Sequence, residues 1–144
     1  MPASRKLFVN LPVEDLDRST AFFASLGFSF NPDFTDENAT CMLIGEDAYA
    51  MLLVRPFFQG FTKMDIPDTA RQAQLICAVG VDSREEVDTV VSAAAAGEGT
   101  EVGEAEDLGF MYSRNFADPD GHLWSVFFMD MSQVPDAERA VQAG

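Results

Sequence analysis

The sequence is poor in the side chains that most often build metal centres and disulfide frameworks. Its 144 residues include one histidine and two cysteines, Cys41 and Cys77, which lie in separate apolar stretches without a CxxC spacing. Two reduced thiols in the core are the simplest interpretation of such a pair. A chain of this length buries about 68–70% of its unfolded surface, so it needs neither disulfides nor a structural metal to form a core.

Basic residues are also scarce, since 9 lysines and arginines stand against 24 aspartates and glutamates, for a net charge of −15. Such a charge repels phosphates and argues against nucleic acids and anionic membranes as partners. No apolar run approaches the ~20 residues of a membrane helix. The opening MPASRKLFVN also lacks the long apolar segment of a secretory signal. We therefore expect a soluble, cytoplasmic protein.

Several catalytic patterns are missing as well. The sequence contains no glycine-rich phosphate loop and no GxSxG motif, and one histidine among scattered serines does not make a catalytic triad. What the sequence does have is apolar bulk, because 47% of its residues are hydrophobic and 13 are phenylalanine. This composition is ordinary for a globular domain.

The chain reads as two halves of the same pattern, β-α-β-β-β. In the first half, KLFVNLPV (6–13) predicts a strand, and EDLDRSTAFFASLGF (14–28) predicts a helix that Gly27 ends. Three short strands are then expected in FSFNPDF, ATCMLIG and AYAMLLV. The second half repeats the order with LICAVGV as a strand, DSREEVDTVVSAAAAG as a helix, and strands in GTEVGEAED, FMYSRNFA and HLWSVFFMD.

A repeat of this kind indicates that neither half buries its sheet alone. We predict one α+β domain over 1–144, with modules at 6–55 and 75–131 paired in a curved sheet around a cleft. The pairing can occur within one chain or across a dimer. The linker 56–74 carries Phe57, Phe58 and Phe61, which suit a lid or interface or, equally, a satellite core. The tail 132–144 suits a frayed helix or a docking arm.

Two stretches at the correct separation carry a family resemblance. LPVEDLDRSTAFFASLGF (11–28) and DPDGHLWSVFF (118–128), set in the βαβββ doublet, resemble the vicinal oxygen chelate superfamily. That superfamily includes glyoxalase I, fosfomycin and bleomycin resistance proteins and extradiol dioxygenases. The resemblance extends from about Leu7 to Asp130, and it implies a glyoxalase/bleomycin resistance-like fold and a homodimer.

In metal-dependent members, the resemblance implies one ligand from each first and last strand, usually histidine, glutamine or glutamate. Carried over to this sequence, the four positions are Phe8, Met51, Ile76 and Ser125. Phenylalanine and isoleucine have no donor atom, a thioether is soft, and a neutral hydroxyl is weak. We therefore expect no metal and no cofactor. Ser125 stands where the last ligand carboxylate usually is.

The period of two along a strand predicts which other residues share the cleft face. Asn10 follows Phe8, Tyr49 and Leu53 follow Met51, and Leu123 and Phe127 follow Ser125. On the preceding strand the family register turns Ser113 and Asn115 inward and leaves Tyr112, Arg114 and Phe116 toward the helices. The predicted ligand-binding residues are Phe8, Asn10, Tyr49, Met51, Ile76, Ser113, Asn115 and Ser125. The single histidine, His122, shares the parity of Trp124 and is expected to face away from them.

An apolar face with a few amides and hydroxyls is typical of a small-molecule pocket. The leading hypothesis is a metal-free relative that binds an apolar or aromatic small molecule, much as bleomycin-binding relatives do without a metal. The alternative is a glyoxalase-like lyase or a dioxygenase with a non-standard active site. A third possibility is a structural or partner-binding role, in which these side chains simply fill the cleft.

Overall fold

The structure is a computed structural model, and it describes residues 5–133. The chain divides into two compact units. The first runs to Gln72 and also contains Pro119–Gly121, whereas the second holds Ala73–Asp118 and continues from His122. The predicted C-terminal helix or docking arm falls almost entirely outside the described residues.

The first unit contains a four-stranded mixed sheet with two helices. Its elements in chain order are β1 (Leu7–Val13), α1 (Leu16–Ser25), β2 (Ser29–Asn31), β3 (Ala39–Leu43), β4 (Ala48–Val54) and α2 (Arg55–Gln59). The strand order is β1-β4-β3-β2, with β1 parallel to β4 and the other pairs antiparallel. Helix α1 lies against β3 and β4, and α2 lies against β1 and β4.

Local sequence explains where α1 begins and ends. The Asp15 side chain accepts a hydrogen bond from the Arg18 N–H and so satisfies one of the free donors of the first turn. At the other end, Gly27 adopts a φ of 99°, which the absence of a Cβ allows. Between these ends Phe22 and Phe23 are buried and edge-to-face, with ring centroids 5.0 Å apart. The helix therefore contributes the aromatic part of the first core.

The second unit repeats this topology. It consists of β5 (Ile76–Gly80), α3 (Arg84–Ala96), β6 (Thr100–Asp107), β7 (Met111–Ala117) and β8 (Leu123–Met129), in the order β5-β8-β7-β6. Strand β5 is parallel to β8, and the remaining pairs are antiparallel. Helix α3 packs on β6, β7 and β8. The α+β class and the two βαβββ modules are thus confirmed.

Two short helical segments adjoin the strands. The strand expected over FSFNPDF ends at Asn31, and the turn residues Asn31-Pro32-Asp33 begin a 3₁₀ turn, Pro32–Phe34, because the Asn31 side chain accepts a hydrogen bond from the Asp33 N–H and Pro32 fixes its own φ. The segment Arg55–Gln59, predicted to be irregular, forms α2 with Pro56 in its first turn. No helix among residues 5–133 is long and apolar enough to span a membrane.

The turn DPDG, which follows β7, holds two buried carboxylates. In the second unit, Asp118 accepts hydrogen bonds from the His122 backbone N–H at 3.0 Å and from the Trp124 indole N–H at 3.1 Å. In the first unit, Asp120 accepts from the Glu14 N–H at 2.8 Å and from the Ser19 hydroxyl at 3.2 Å. Buried carboxylates with such donors are satisfied, so this motif has a structural role.

Gly121 is the residue of this turn that tolerates least change. Its φ is 87°, and a Cβ added there would collide with the backbone of Thr69 and Ala70. The Thr69 hydroxyl in turn donates to the carbonyl oxygen of Asp120 at 2.6 Å. The backbone of the first unit therefore leaves no room for a side chain at this position.

We expect Gly121→Ala to destabilise the protein by about 3 kcal/mol or more, because left-handed strain of about 1–2 kcal/mol adds to a backbone collision. The matched control is Gly109→Ala, whose φ of 85° imposes the same strain while its Cβ would meet nothing within 4 Å. Urea denaturation of both variants measures the difference. Equal losses in the two variants would show that the predicted collision with Thr69 is not real.

Candidate functional site

The strand register gives the first sheet two unlike faces. Leu11, Met42 and Leu52 lie on the face that α1 covers, and each is at most 2% exposed. The opposite face, here called the first open face, carries the alternate residues of the same strands. By cross-strand pairing its members are Phe8, Asn10, Pro12, Ser29, Asn31, Ala39, Cys41, Leu43, Tyr49, Met51 and Leu53. All of these side chains are uncharged.

A stacked aromatic pair marks the exposed part of the first open face. Phe8 is directly opposite Tyr49 in the parallel pair of β1 and β4, and their ring centroids are 4.5 Å apart with an interplanar angle of 12°. Phe8 is 45% exposed although it is a large apolar side chain. The Tyr49 hydroxyl donates to the carbonyl oxygen of Glu46 at 3.1 Å, which fixes the ring position. The pair forms a rigid aromatic platform.

Lys6 lies beside this platform. Its Nζ is 5.9 Å from the centroid of the Tyr49 ring, within the range of a cation–π contact. Sequence reasoning missed this lysine, although its parity with Phe8 and Asn10 places it on the same face.

The other two predicted residues of this face, Asn10 and Met51, form the next cross-strand pair of β1 and β4. Asn10 is exposed, lies opposite Met51, and makes a long hydrogen bond of 3.4 Å from its amide to the Phe8 carbonyl. Met51 is half-buried and faces Cys41 on its other side. Cys41 is 1% exposed, and burial raises the pKa of its thiol. The first open face therefore passes from an exposed aromatic end to a buried apolar end.

The second sheet also has an open face, turned away from α3. Ser125 lies opposite Ala78 on one side and Asn115 on the other, while Ser113 lies opposite Phe127. Ile76 starts the edge strand of this face and is 63% exposed. Ser113 is 8% exposed, so it contributes less accessible surface than its neighbours.

Helix α3 and the other face of the second sheet are joined by charged side chains. Arg114 donates to both carboxylate oxygens of Glu101, at 2.9 and 2.8 Å, and to Asp88 on α3 at 2.9 Å. The Tyr112 hydroxyl also donates to Asp88 at 2.6 Å. The expectation that Tyr112, Arg114 and Phe116 face the helix is therefore met, and Phe116 is 1% exposed.

These contacts shift the ionisation of their members. Hydrogen bonds from Tyr112 and Arg114 lower the pKa of Asp88, and the hydrogen bonds from Arg114 lower the pKa of Glu101. The pKa of Tyr112 rises because the phenolic proton is bound by Asp88. The network is a structural tie between α3 and the sheet, since its groups are already paired with one another.

His122 belongs to the turn before β8. Its backbone accepts a hydrogen bond from the Asp118 N–H at 2.9 Å and donates to the Asp118 carboxylate. Trp124, whose parity it shares, is 1% exposed on the helix side. The backbone of His122 thus serves the turn.

At the four positions where the family resemblance implies metal ligands, the side chains do not suit a divalent metal ion. Phe8 and Met51 lie on the first open face, and Ile76 and Ser125 lie on that of the second sheet. Together they offer one thioether and one hydroxyl, without a carboxylate or imidazole. Within the described part of the chain, no three His, Cys, Asp or Glu side chains come together in a way that could hold a metal.

The aromatic linker is an ordered loop of the first unit. The Phe57 and Phe61 rings are edge-to-face with centroids 5.2 Å apart, and Phe61 is 72% exposed. The Gln59 amide donates to the carbonyl oxygens of Thr62 and Met64, both at 2.9 Å. These bonds close the loop on itself.

The comparisons with known proteins agree with this architecture. Residues 5–45 match the family described as bleomycin resistance protein-like N-terminal. The structure of a hypothetical protein from S. aureus is similar with a TM-score of 0.74 and 25% identity, over 88% of this chain and 95% of that one.

The chain has the glyoxalase/bleomycin resistance fold. A glyoxalase-related enzyme from Fulvimarina pelagi is similar with a TM-score of 0.73 and 20% identity, over 88% of each chain. The bleomycin resistance determinant encoded on the transposon Tn5 has a TM-score of 0.61 and 21% identity, over 87% of this chain and 98% of that one. No curated protein sequence matches this chain. The resemblance based on the two sequence stretches is thereby confirmed.

We expect Arg114→Gln to lower the free energy of unfolding by about 2 kcal/mol at pH 7, because it leaves Glu101 and Asp88 without their charged donor. Since the folded-state pKa values of both carboxyls are lowered, their contribution is complete above their unfolded values and is lost as pH falls through the folded values. The difference in unfolding free energy between variant and wild type should thus be complete above about pH 4.5 and should narrow as the pH falls below that value.

Urea denaturation at several pH values measures this difference. Arg71→Gln is the matched control, because Arg71 is an exposed arginine for which the structure gives only a backbone hydrogen bond. A loss for Arg114→Gln that is the same at pH 3 and pH 7 would contradict the ionic account of the network.

Proposed function

We propose that this protein binds an apolar or aromatic small molecule on its open sheet faces and does so without a metal ion. The observation that carries the proposal is the Phe8–Tyr49 stack, an exposed and preorganised aromatic platform on an uncharged sheet face. Ligand sites in proteins are mostly apolar surfaces with a few placed polar groups. Asn10 beside the platform supplies such a group.

The second open face supports the same chemistry. Ile76 supplies exposed apolar surface, while Ser125 and Asn115, adjacent across β7 and β8, supply a hydroxyl and an amide. These three side chains are uncharged, and Glu106, which lies opposite Ser113 on β6, is a carboxylate on the same face. Ser125 takes the place of a metal-binding carboxylate and would act as a hydrogen-bonding group.

One of the similar structures gives this proposal a precedent. It is a bleomycin-binding protein in complex with bleomycin, with a TM-score of 0.58 and 21% identity over 85% of this chain and 97% of that one. A protein of this fold thus holds a small molecule. We propose the same general activity here, with a different and smaller ligand defined by the aromatic platform.

We further propose that the protein acts as a cytoplasmic homodimer. Large apolar side chains away from the open faces, Phe61 and Leu108 among them, are exposed, and a second copy would lower that exposure. Light scattering at micromolar concentration would give twice the mass of one chain. The mass of a single chain would contradict the dimer. It would not bear on the binding proposal, which the ligand screen tests separately.

A thermal-shift screen of small aromatic compounds should yield saturable ligands, and Phe8→Ala should weaken their binding by about two- to tenfold, as expected for the loss of one aromatic pair. Isothermal titration calorimetry measures the change. Phe34→Ala is the matched control because Phe34 is 62% exposed in the same unit but lies outside the sheet. Absence of any saturable ligand, or equal losses in both variants, would contradict the proposal.

A further inference from the structure

We infer that the ligand of the first open face carries an anionic group, which Lys6 binds while the ligand's ring lies on the Phe8–Tyr49 platform. This inference rests on the proposed function and names the chemical class of its ligand, a planar aromatic acid. It starts from the position of a lysine beside a sheet face whose strand residues are uncharged.

Lys6 is an unusual group in this protein. The sequence has only two lysines, Lys6 and Lys63, within a net charge of −15. Among residues 5–133, none of the ion pairs involves Lys6, and its one close contact is the Tyr49 ring. Arg18, Arg55, Arg84 and Arg114, by contrast, form ion pairs with carboxylates. The ammonium group of Lys6 is therefore free to pair with a ligand.

The acidic residues next to the platform in the structure do not form an ion pair with the Lys6 ammonium group. Glu46 and Asp47 precede β4, and both meet the platform through their backbone, since Tyr49 donates to the Glu46 carbonyl and Leu7 donates to the Asp47 carbonyl. Neither carboxylate is within 4.0 Å of Lys6. More distant carboxylates are screened over about 8 Å at physiological ionic strength. Beside the platform, Lys6 therefore keeps an ammonium group without an ion pair to any residue that the structure describes.

The geometry suits a ligand with two parts. A flat ligand ring laid against Phe8 buries apolar surface of both partners. Lys6, whose Nζ lies over the Tyr49 ring at 5.9 Å from its centroid, can then pair with a carboxylate or sulfonate attached to the ligand ring. The Asn10 amide, exposed on the same side, can donate to the same group. A neutral aromatic molecule would use the platform and leave Lys6 unpaired.

Three probes of equal size separate these contributions: naphthalene-2-carboxylate, naphthalene-2-carboxamide and 2-naphthylmethylammonium. Calorimetry should show the carboxylate binding about two- to fivefold more tightly than the carboxamide, the range expected for one exposed ion pair. The ammonium probe should bind most weakly. Lys6→Gln should abolish the preference, whereas Lys63→Gln, which changes the other lysine, should leave it intact.

Because the sequence has only two lysines, the contact of a ligand with Lys6 can also be followed directly by NMR in the full chain. Reductive methylation with ¹³C-formaldehyde keeps the positive charge and labels Lys6 and Lys63, and the two variants assign their signals. Naphthalene-2-carboxylate should shift the Lys6 signal and not that of Lys63. A shift of both signals, or of neither while the probe binds, would overturn the inference.

The outcomes distinguish this inference from the proposed function. Equal affinity for carboxylate and carboxamide, with both weakened by Phe8→Ala, would overturn the anionic ligand and support aromatic binding. Tightest binding of the ammonium probe would also overturn it, and would show that the overall negative charge governs selection. Failure of all three probes to bind would count against the proposed function itself.

Discussion

The register of the parallel pairs β1–β4 and β5–β8 is the constraint on which the rest of this structure depends. Because side chains alternate along a strand, a shift of one residue would exchange the two faces of a sheet. In the observed register Leu11 and Leu52 meet under α1, and Phe8 and Tyr49 meet on the opposite face. Core formation and the aromatic platform are consequences of the same pairing, so neither can change without the other.

Hydrogen-bonded polar groups, buried at Asp120 and partly exposed around Arg114, hold this register in place at defined points. Asp120 accepts from the Glu14 N–H, 106 residues away in the chain, where β1 gives way to α1. Arg114 ties α3 to β6 and β7 through Glu101 and Asp88. Each of these groups is satisfied by partners inside its own unit, which is the condition for burial of a charge. Their role is architectural, and the strand residues of the first open face are uncharged, whereas Glu106, opposite Ser113, brings a carboxylate to the open face of the second sheet.

The sequence alone predicted the two modules because their signals are local. Period-two alternation marks the strands, and the Asp15 cap and Gly27 bound α1. The family resemblance placed Phe8, Met51, Ile76, Ser113, Asn115 and Ser125 on one face of each sheet, and alternation added Asn10 and Tyr49. All eight lie on the open faces, and their binding of a ligand stays a prediction. Helix α2 was not predicted, because Pro56 fits an irregular linker as well as the first turn of a short helix.

Contacts between residues that are far apart in the chain could not be predicted from the sequence. The Tyr49 ring stands beside Lys6 and Phe8 because β4 is parallel to β1 in one register, and no local pattern states that register. The partners of Asp120 and the collision that excludes a side chain at Gly121 likewise depend on tertiary approach. Residue identity was enough to show that Phe8, Met51, Ile76 and Ser125 do not form a usual metal-binding set.

The central claim is that this fold works here as a small-molecule binding protein without a metal ion. Elemental analysis of untagged protein, before and after dialysis against Ni²⁺, Zn²⁺, Mn²⁺ and anaerobic Fe²⁺, tests that claim most directly. The account predicts that none of these metals is retained near one ion per chain. Near-stoichiometric metal that survives dialysis would contradict it and would favour a metal-dependent lyase or dioxygenase whose ligands lie at other positions.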